Sequence, residues 1–405
     1  MNIGIYLVNI KPSDGGIFQY SIYLLKMLLK CDAVKFIYLF YVNGQEHLLQ
    51  DFLHNDKIKP VLYFNNNKLK SFLRQLADFW LTRYYLRIKK QRHCLRIYKL
   101  LNPDRRFLNK FNLDLLHIPR QHSPAYELNY PVAVTMHDVQ HFHFPEFFTP
   151  LERTHKSMRY HISMEEADHI IVSFNHVKKD LIKYFKPRPS KISVCRVPLT
   201  EDWISTTATP AEELRAKYSL PDIFMLTPAA TWEHKNHIAV LEAMNLLRGE
   251  SFKIFWVSTG YKTPFYDTIE EKIKQLQLED QVLFTDVVSE SDLRGLYNLA
   301  SLVVIPTLYE AGSGPLFEAM RYEVPVICSN VTSLPETIGN KEFVFNPLNF
   351  LEIATLIKQA INDDDFIMRN KENSRVQSEY LRNLDYQSSF IEAYAQAINY
   401  RKRKL

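Results

Sequence analysis

Residues 301–328 alternate between two short apolar runs and a glycine-containing turn that leads into a helical segment. Ser301–Ile305 and Val324–Cys328 are rich in β-branched residues, which is typical of strands buried on both faces of a parallel sheet. Between them, Pro315 suits the first position of a helix, and LFEAMRY continues with helical spacing. This order of strand, turn, helix and strand predicts an α/β fold.

The turn before this helix combines small residues with two flanking carboxylates. Gly312, Ser313 and Gly314 precede the helix, and the N–H groups at a helix start form a site for an anion such as phosphate. Glu310 and Glu318 lie on either side of the turn. A carboxylate repels phosphate but accepts hydrogen bonds from hydroxyl pairs, such as those of ribose and of a sugar ring. Taken singly, each Glu is also explained as a loop or helix-start residue, but together the residues indicate a nucleotide-sugar pocket.

The run from Glu310 to Glu318, with Pro315 before the second Glu and VPVICSNVTSLPE after it, resembles the signature of the family 4 retaining glycosyltransferases. The resemblance implies the B-type fold, in which two Rossmann-like domains face each other across a cleft. It also implies that Glu310 faces the donor sugar and that Glu318 binds the nucleotide ribose. The chain has AGSG where the family more often has Gly-Phe-Gly-Leu, a difference that concerns the subfamily and the donor more than the class.

The length and composition favour two globular domains. A chain of 405 residues, with 46% hydrophobic and 23% charged residues, suits two domains of about 200 residues each. We place an acceptor-side domain at 1–205 and a nucleotide-sugar-binding domain at 206–385, and the resemblance implies that a last helix at 386–405 crosses back to the first domain. The chain has no apolar run of the about 20 residues that span a bilayer, and its start lacks signal-peptide features. Its four scattered cysteines fit a reducing compartment, so we expect a cytoplasmic protein.

Two features of the first domain, a glycine loop and a histidine after a strand, indicate ligand contacts. A strand over Ile3–Val8 is followed by Gly15, Gly16 and a helix, which is either a second phosphate-type loop or an ordinary turn. The resemblance implies that this loop closes over the donor and acceptor site. A strand over Val132–Met136 leads to His137, and the carboxyl ends of parallel strands border the crevice where α/β sheets bind ligands. The resemblance implies that His137 contacts the transferred sugar.

The segment HDVQHFH, with His137, His141 and His143, raises the possibility of a metal site, because His is a common ligand. The nearby residues supply no further ligand set, and transferases of the B-type fold generally work without a bound metal. We therefore expect no metal, and no cofactor beside the nucleotide-sugar substrate.

The second domain begins with a strand at Phe224–Pro228, followed by TWEHKNH and a helix. Lys235 lies near the start of that helix, where a cation and N–H groups can together hold a diphosphate; a surface lysine is the ordinary alternative. The resemblance to the family's HKN-type segment favours the diphosphate role. The Arg common in the family five residues earlier is Ala230 here, and Pro198–Asp202 also departs from the family's pattern, so contacts of those two positions are not carried over.

A basic segment at Leu69–Lys110 contains only two acidic residues. One helical face in it is formed by Leu69, Phe72, Leu73, Leu76, Trp80 and Tyr84. Such a helix can lie on an anionic membrane surface, which would make the protein peripheral on the inner face of a membrane. A helix packed on its own domain with a solvated basic face is the alternative. A net charge of only +5 and the lack of a nucleic-acid motif argue against a nucleic-acid partner.

These observations predict a retaining hexosyltransferase that moves a sugar from a nucleotide-sugar donor to a carbohydrate or lipid-linked acceptor, in surface polysaccharide or lipopolysaccharide synthesis. Lys235 and helix N–H groups would stabilise the leaving diphosphate, while Glu310 and His137 hold the sugar. Two alternatives remain at this point: a nucleotide-sugar epimerase of the same fold, and a non-catalytic carbohydrate-binding homologue.

Overall fold

The computed structural model describes residues 1–63, 80, 83–85, 87, 92–198 and 207–404. The chain divides into two compact units, one formed by Met1–Pro198 with Asp385–Leu405 and the other by Leu199–Leu384. Each unit contains a parallel sheet flanked by helices. The predicted α/β class with two Rossmann-like sheets is confirmed.

The first unit contains seven strands among its described residues. They are β1 (Asn2–Tyr6), β2 (Phe36–Tyr41), β3 (Ile58–Leu62), β4 (Leu115–Ile118), β5 (Val132–Thr135), β6 (His169–Val172) and β7 (Ile192–Val194). Its described helices are α1 (Gly16–Leu29), α2 (Glu46–Leu53), α3 (Arg92–Leu101), α4 (Pro103–Leu108), α5 (Gln140–His143), α6 (Pro150–Glu166), α7 (Asn175–Phe185) and, from the end of the chain, α16 (Tyr386–Lys404).

The second unit contains six strands in its described part. They are β8 (Phe224–Pro228), β9 (Phe255–Thr259), β10 (Val282–Phe284), β11 (Leu302–Ile305), β12 (Val326–Ser329) and β13 (Val344–Phe345). The helices are α8 (Ala211–Tyr218), α9 (His237–Gly249), α10 (Tyr266–Leu276), α11 (Glu290–Leu299), α12 (Gly314–Arg321), α13 (Leu334–Ile338), α14 (Phe350–Asn362) and α15 (Asp364–Arg382).

Both sheets reverse their strand order once, next to the first strand of the unit. The first sheet has the order β3-β2-β1-β4-β5-β6-β7, so the direction of winding changes between β1 and β4. The second has the order β10-β9-β8-β11-β12-β13, with the change between β8 and β11. Loops leaving two such neighbouring strands diverge to opposite faces and open a crevice at the carboxyl edge, which is where α/β sheets bind ligands. The sheet order therefore predicts that the loops after β1, β4, β8 and β11 border these crevices.

The central strands are buried on both faces, as their β-branched sequences predict. In β11 and β12, every residue from Leu302 to Ile305 and from Val326 to Ser329 is buried. Helix α15, for which the sequence analysis made no prediction, supports the start of β12: the Asn370 side chain donates to Val326 O at 2.8 Å and accepts from Val326 N at 2.8 Å. One buried side-chain amide thus pairs with both backbone groups of Val326, the first residue of β12.

Helix α16 belongs to the core of the first unit. Phe390, Ala393, Tyr394 and Ala397 are fully buried and pack in one cluster with residues of β1, α1 and β2. Their spacing of three and four places them on one face of the helix. The end of the chain is therefore structurally part of the unit that contains its beginning.

Much of the basic segment predicted at Leu69–Lys110 lies outside the described residues, namely 69–79, 81–82, 86 and 88–91, and so does 199–202 of the segment Pro198–Asp202. In the described part, Tyr85 and Tyr98 are buried with Tyr126 and Ile162, which fits the alternative of packing on the domain for those two residues. None of the helices formed by the described residues combines the length and hydropathy needed to cross a bilayer.

Candidate active site

The glycine-containing turn after β11 forms the predicted helix start. Ser313 is the N-cap of α12 and accepts a hydrogen bond from Leu316 N at 3.3 Å. Since Pro315 has no N–H and that of Leu316 is occupied, the described helix start presents the N–H groups of Ser313 and Gly314 to a ligand. The helix start therefore has fewer N–H groups for the predicted anion contact than the sequence alone indicates.

Lys235 and Glu310 form an ion pair. The Lys235 ammonium lies 2.5 Å from Glu310 Oε2, and the two side chains are only 21% and 14% exposed. The sequence predicts that Lys235 contacts a diphosphate and that Glu310 contacts a sugar. It does not predict that the two side chains contact each other. Each partly buried charge therefore has an opposite charge for a partner, which offsets part of the cost of removing it from water.

The ion pair depends on a cross-linked pair of loops. Lys235 ends a 3-10 turn, and the next residue, Asn236, has a left-handed backbone with φ 60°. The Asn236 side chain donates to Pro306 O at 3.0 Å and to Pro347 O at 2.9 Å. From the other loop, Leu308 N donates to His234 O at 2.7 Å. These bonds hold the loop after β8 against the loop after β11, at the point where the sheet order reverses.

Two hydroxyl residues hold the backbone of Glu310. Its N–H donates to Thr332 Oγ1 at 3.0 Å, and its carbonyl accepts from Ser333 Oγ at 2.8 Å. Sequence analysis quoted Thr332 and Ser333 only as part of the family-like stretch and assigned them no role. Their position in that stretch is the signal that could have found them.

Glu318 lies in a pocket of aromatic side chains. Tyr297 O–H donates to Glu318 Oε2 at 2.7 Å, and the Tyr297 ring stacks on Tyr322 with centroids 5.4 Å apart. Burial raises the pKa of Glu318 to about 7, and the Tyr297 hydrogen bond and the nearby Arg294 oppose that rise. The carboxyl group predicted to bind ribose therefore changes charge near neutral pH. Nothing in the local sequence around Glu318 points to Tyr297, which comes from α11.

The segment before Lys235 is fixed by contacts with the loop after β9. Gly260 has φ 130°, and a Cβ there would lie 2.7 Å from Ala230 N, so only glycine fits. Thr263 N donates to Thr231 Oγ1 at 2.8 Å, and Thr263 Oγ1 donates to Thr231 O at 2.6 Å. These contacts position the loop from which Lys235 extends.

In the first unit, the loop after β1 contains the two predicted glycines at the start of α1. Gly15 is the N-cap, with φ 56° and ψ −119°, a conformation that strongly favours glycine. Gly16 is the first residue of the helix, and a Cβ at either glycine would meet open space. The backbone here is accessible, as a loop that approaches a ligand requires.

His137 follows β5 and is held by two contacts. Its Nε2 lies 3.1 Å from Pro119 O, and its ring meets the Tyr20 ring edge-on, with centroids 4.8 Å apart. Burial lowers the pKa of His137, so the ring is neutral. Because a carbonyl oxygen can only accept, Nε2 carries the proton, and Nδ1 is left as the acceptor.

The three histidines of HDVQHFH do not form a cluster. His141 is buried among aromatic rings, including Tyr160, and this burial lowers its pKa to about 4. His143 lies 2.7 Å from Asp180 on α7. Within the described ranges, no three His, Cys, Asp or Glu side chains are grouped so that they could hold a metal ion.

Comparison with known proteins indicates the class of enzyme. Residues 211–377 match the family model described as glycosyl transferases group 1, a stretch that contains Lys235, Glu310 and Glu318. This match and the relative described next show that the protein is a glycosyltransferase. The chain is 27% identical to the O-antigen chain mannosyltransferase B of Escherichia coli over 355 residues, covering 87% of this chain and 88% of that one. This glycosyltransferase thus has a relative of that name along nearly its whole length.

Two further comparisons concern part of the chain and its fold. The serotype-specific mannosyltransferase WbdA of Escherichia coli is 30% identical over 220 residues, which cover 53% of this chain but only 27% of that relative's length. The crystal structure of a glycosyltransferase from Rickettsia africae superimposes with a TM-score of 0.67 at 18% identity, covering 98% of both chains. The last match shows the fold alone, and it supports the B-type architecture expected from the sequence. The relatives' names support a transferase over the epimerase and the non-catalytic binding protein.

Proposed function

We propose that this glycosyltransferase transfers a mannosyl group from a nucleotide-mannose donor to a hydroxyl group of a growing surface polysaccharide or its lipid-linked precursor. The observation that carries the proposal is the Lys235–Glu310 contact at the carboxyl edge of the second sheet, beside the start of α12. A cation, two N–H groups, the loop carboxylate of Glu310 and the helix carboxylate of Glu318 match a diphosphate with a diol on each side. The names of the Escherichia coli relatives support the mannosyl group.

In this proposal, donor binding exchanges the partners of the ion pair. Lys235 turns from Glu310 to the diphosphate, where the N–H groups of Ser313 and Gly314 also donate. Glu310, released from Lys235, accepts hydrogen bonds from hydroxyl groups of the sugar. Each charged group exchanges one strong partner for another, so the donor need not bring a metal ion to neutralise its phosphates.

Glu318 is assigned to the ribose. Tyr297 occupies Oε2, which leaves Oε1 to accept from the ribose hydroxyls. Only the ionised carboxylate accepts without also donating, so donor binding favours loss of the Glu318 proton. This assignment makes the second unit the nucleotide-sugar-binding domain and the first unit the acceptor-side domain.

His137 and the glycine loop are assigned to the reacting sugar. The neutral His137 ring accepts a hydrogen bond at Nδ1 from a sugar hydroxyl, and the side-chain-free backbone at Gly15 and Gly16 approaches the donor and acceptor. An acceptor in a neutral ring orients the sugar without adding charge next to the anomeric carbon, where positive charge develops in the transition state.

The chemical step that follows is a displacement with retention. The bond between C1 and the β-phosphate oxygen breaks, and the acceptor oxygen forms its bond to C1 on the same face. The acceptor proton passes to the departing phosphate oxygen, so the nucleoside diphosphate leaves with that proton. Lys235 and the helix N–H groups stabilise the charge on the leaving group.

The direct test is nucleoside diphosphate release from a panel of GDP-mannose, UDP-glucose and UDP-N-acetylglucosamine, with and without a mannose-containing acceptor. We expect release that depends on GDP-mannose or another nucleotide-mannose and on acceptor, with an α-linked product by NMR. A donor isomer without release would establish an epimerase, and binding without turnover would establish a non-catalytic homologue. A β-linked product would refute retention.

The proposal extends to reversible contact with an anionic membrane. On α3, Leu100 and Leu101 are 70% and 57% exposed. Trp80, which precedes α3 in the same basic segment, is 65% exposed. The exposed Arg106 and Lys110 follow in and after α4. Exposed apolar side chains next to basic ones suit the interface of an anionic bilayer, where each basic residue contributes about 1 kcal/mol.

Vesicle co-sedimentation tests this extension. We expect salt-sensitive binding to vesicles containing anionic lipid and little binding to neutral ones. Leu100→Glu with Leu101→Glu should abolish it, whereas Leu348→Glu with Leu351→Glu, which changes equally exposed leucines of the second unit, should not. Equal binding by both variants would refute a membrane role for α3.

A further inference from the structure

Four buried polar side chains form a hydrogen-bonded chain in the first unit. Tyr394 OH lies 2.8 Å from His117 Nδ1, and His117 Nε2 lies 2.8 Å from Thr135 Oγ1. Thr135 Oγ1 in turn lies 3.2 Å from Tyr20 OH. All four side chains are buried. Buried polar groups cost stability unless they are paired, so a chain of four inside a hydrophobic core calls for an explanation.

The chain joins four separate elements and ends beside His137. Tyr394 comes from α16, His117 from β4, Thr135 from β5 and Tyr20 from α1. Thr135 precedes His137 by two residues, and the Tyr20 ring meets the His137 ring edge-on at 4.8 Å. Each member therefore contacts the next, from the C-terminal helix to the histidine.

Building on the proposed function, we propose that this chain positions His137, so that the C-terminal helix contributes to the sugar-binding site through Tyr394. Tyr20, Thr135, His117 and Tyr394 are positioning residues: they orient the ring of His137 and do not themselves touch the substrate. The Tyr20 ring limits the rotation of His137 on one side, while the bond from Nε2–H to Pro119 O selects its tautomer. Nδ1 is then available as an acceptor in a single direction.

The two bonds of His117 are coupled because its ring is neutral. Burial lowers the pKa of His117 to about 3, so at physiological pH its ring donates from one nitrogen and accepts at the other. If Tyr394 donates to Nδ1, then Nε2–H donates to Thr135, whose hydroxyl is free to donate to Tyr20. Loss of the Tyr394 hydroxyl leaves Nδ1 without that partner, so α16 no longer influences which nitrogen of His117 carries the proton. The orientation of the Tyr20 hydroxyl then loses its support.

The alternative is that the chain only stabilises the fold. Tyr130 provides the matched control, because it is a buried tyrosine of the same unit whose hydroxyl donates to Leu108 O at 2.9 Å. Tyr130→Phe and Tyr394→Phe each remove one buried hydroxyl from the same domain. A purely structural chain would make the two variants equivalent.

The first experiment compares steady-state transfer by Tyr394→Phe, Thr135→Val and Tyr130→Phe, with thermal unfolding as a check on folding. We expect the first two variants to lower kcat about tenfold with a donor KM within about twofold of wild type, because misplacement of a contact group affects turnover more than donor affinity. Tyr130→Phe should retain the wild-type kcat. If Tyr394→Phe behaves like Tyr130→Phe, the positioning role is refuted.

A second measurement separates this inference from the proposed function. In the full chain labelled with 15N-histidine, the His137 signal, assigned from its loss in His137→Asn, should show the Nε2–H tautomer. Tyr394→Phe should broaden or shift that signal and Tyr130→Phe should not. This result needs no turnover, so it supports positioning even if no donor is transferred. An unchanged His137 signal in Tyr394→Phe would refute positioning even if the enzyme transfers mannose.

Discussion

The candidate residues of the two units differ in the kind of polar group that each presents at the carboxyl edge of its sheet. The second unit presents charges: the Lys235–Glu310 pair, and Glu318 with a pKa of about 7. The first unit presents neutral groups: the bare backbone of Gly15 and Gly16, and the uncharged ring of His137. Charge suits a diphosphate, and neutral acceptors suit a sugar. Two similar parallel sheets thus present different polar groups through the loops at their edges.

The largest effect should come from the charged side of this comparison. We expect Lys235→Met to lower kcat by about a hundredfold or more, because it removes a cation from the leaving diphosphate. Glu310→Gln should lower kcat comparably, with little change in donor KM. Both are measured by nucleoside diphosphate release under saturating acceptor.

The matched control for Lys235→Met is Lys272→Met. Lys272 pairs with Glu242 at 2.6 Å, with side chains 21% and 24% exposed, so it resembles the Lys235 pair in length and burial. It should retain wild-type turnover. If Lys272→Met and Lys235→Met lose activity equally, the loss reflects stability and the diphosphate role of Lys235 fails.

The neutral side should show a smaller effect. We expect His137→Phe to reduce kcat by about tenfold to a hundredfold while donor KM changes little, because an oriented hydrogen bond to the sugar is lost and the nucleotide contacts remain. His143→Phe, which removes the contact with Asp180, should have no effect on turnover. A rise in donor KM without loss of kcat in His137→Phe would move this residue from the sugar to the nucleotide.

The Glu318 carboxyl group should make the donor KM depend on pH. Wild-type donor KM should rise as pH falls through about 7, because protonation of the carboxylate removes an acceptor for ribose. Glu318→Gln should raise donor KM about tenfold, the loss expected for one charge-assisted hydrogen bond, and should abolish the pH dependence near 7. A pH profile identical in wild type and variant would contradict the ribose assignment.

The same group affects stability, with the opposite sense. Because the folded protein raises the pKa of Glu318 from 4.5 to about 7, its contribution to stability is full below 4.5 and is lost as pH rises through 7. Between pH 4.5 and pH 8, the free energy of unfolding of Glu318→Gln should therefore gain on wild type by up to about 3 kcal/mol. Chemical denaturation at several pH values measures this difference.

The smallest expected effect is that of chelation. Since Lys235 and the N–H groups of α12 are proposed to neutralise the diphosphate, turnover should persist in EDTA with no measurable change. Loss of turnover that Mn²⁺ or Mg²⁺ restores would contradict this proposal, because the charged residues of the second unit would then need a metal ion to bind the diphosphate.

Much of the fold could be predicted because the signals are local. The strand at Phe224–Pro228 was predicted with its observed bounds, and α12 begins one residue before the predicted Pro315. The errors are at strand ends: β1 was predicted to extend to Val8 but ends at Tyr6. Leu7 and Val8 remain buried beyond the end of the strand, and Leu7 N still donates to Phe40 O at 2.9 Å, so an apolar run in the sequence extends past the strand itself.

The α/β class, the glycine turns and the residue types available at the edges of the sheets can be predicted from the amino-acid sequence, because these depend on neighbours along the chain. Which of those residues meet depends on the folded chain: Lys235 with Glu310 across 75 residues, and His117 with Tyr394 across 277. Such contacts depend on strand order, which brings β8 beside β11 and returns α16 to the first sheet. Hydrophobic periodicity reports which face of an element is buried and is silent on which element buries it, so the chemistry of the site became visible only in the folded chain.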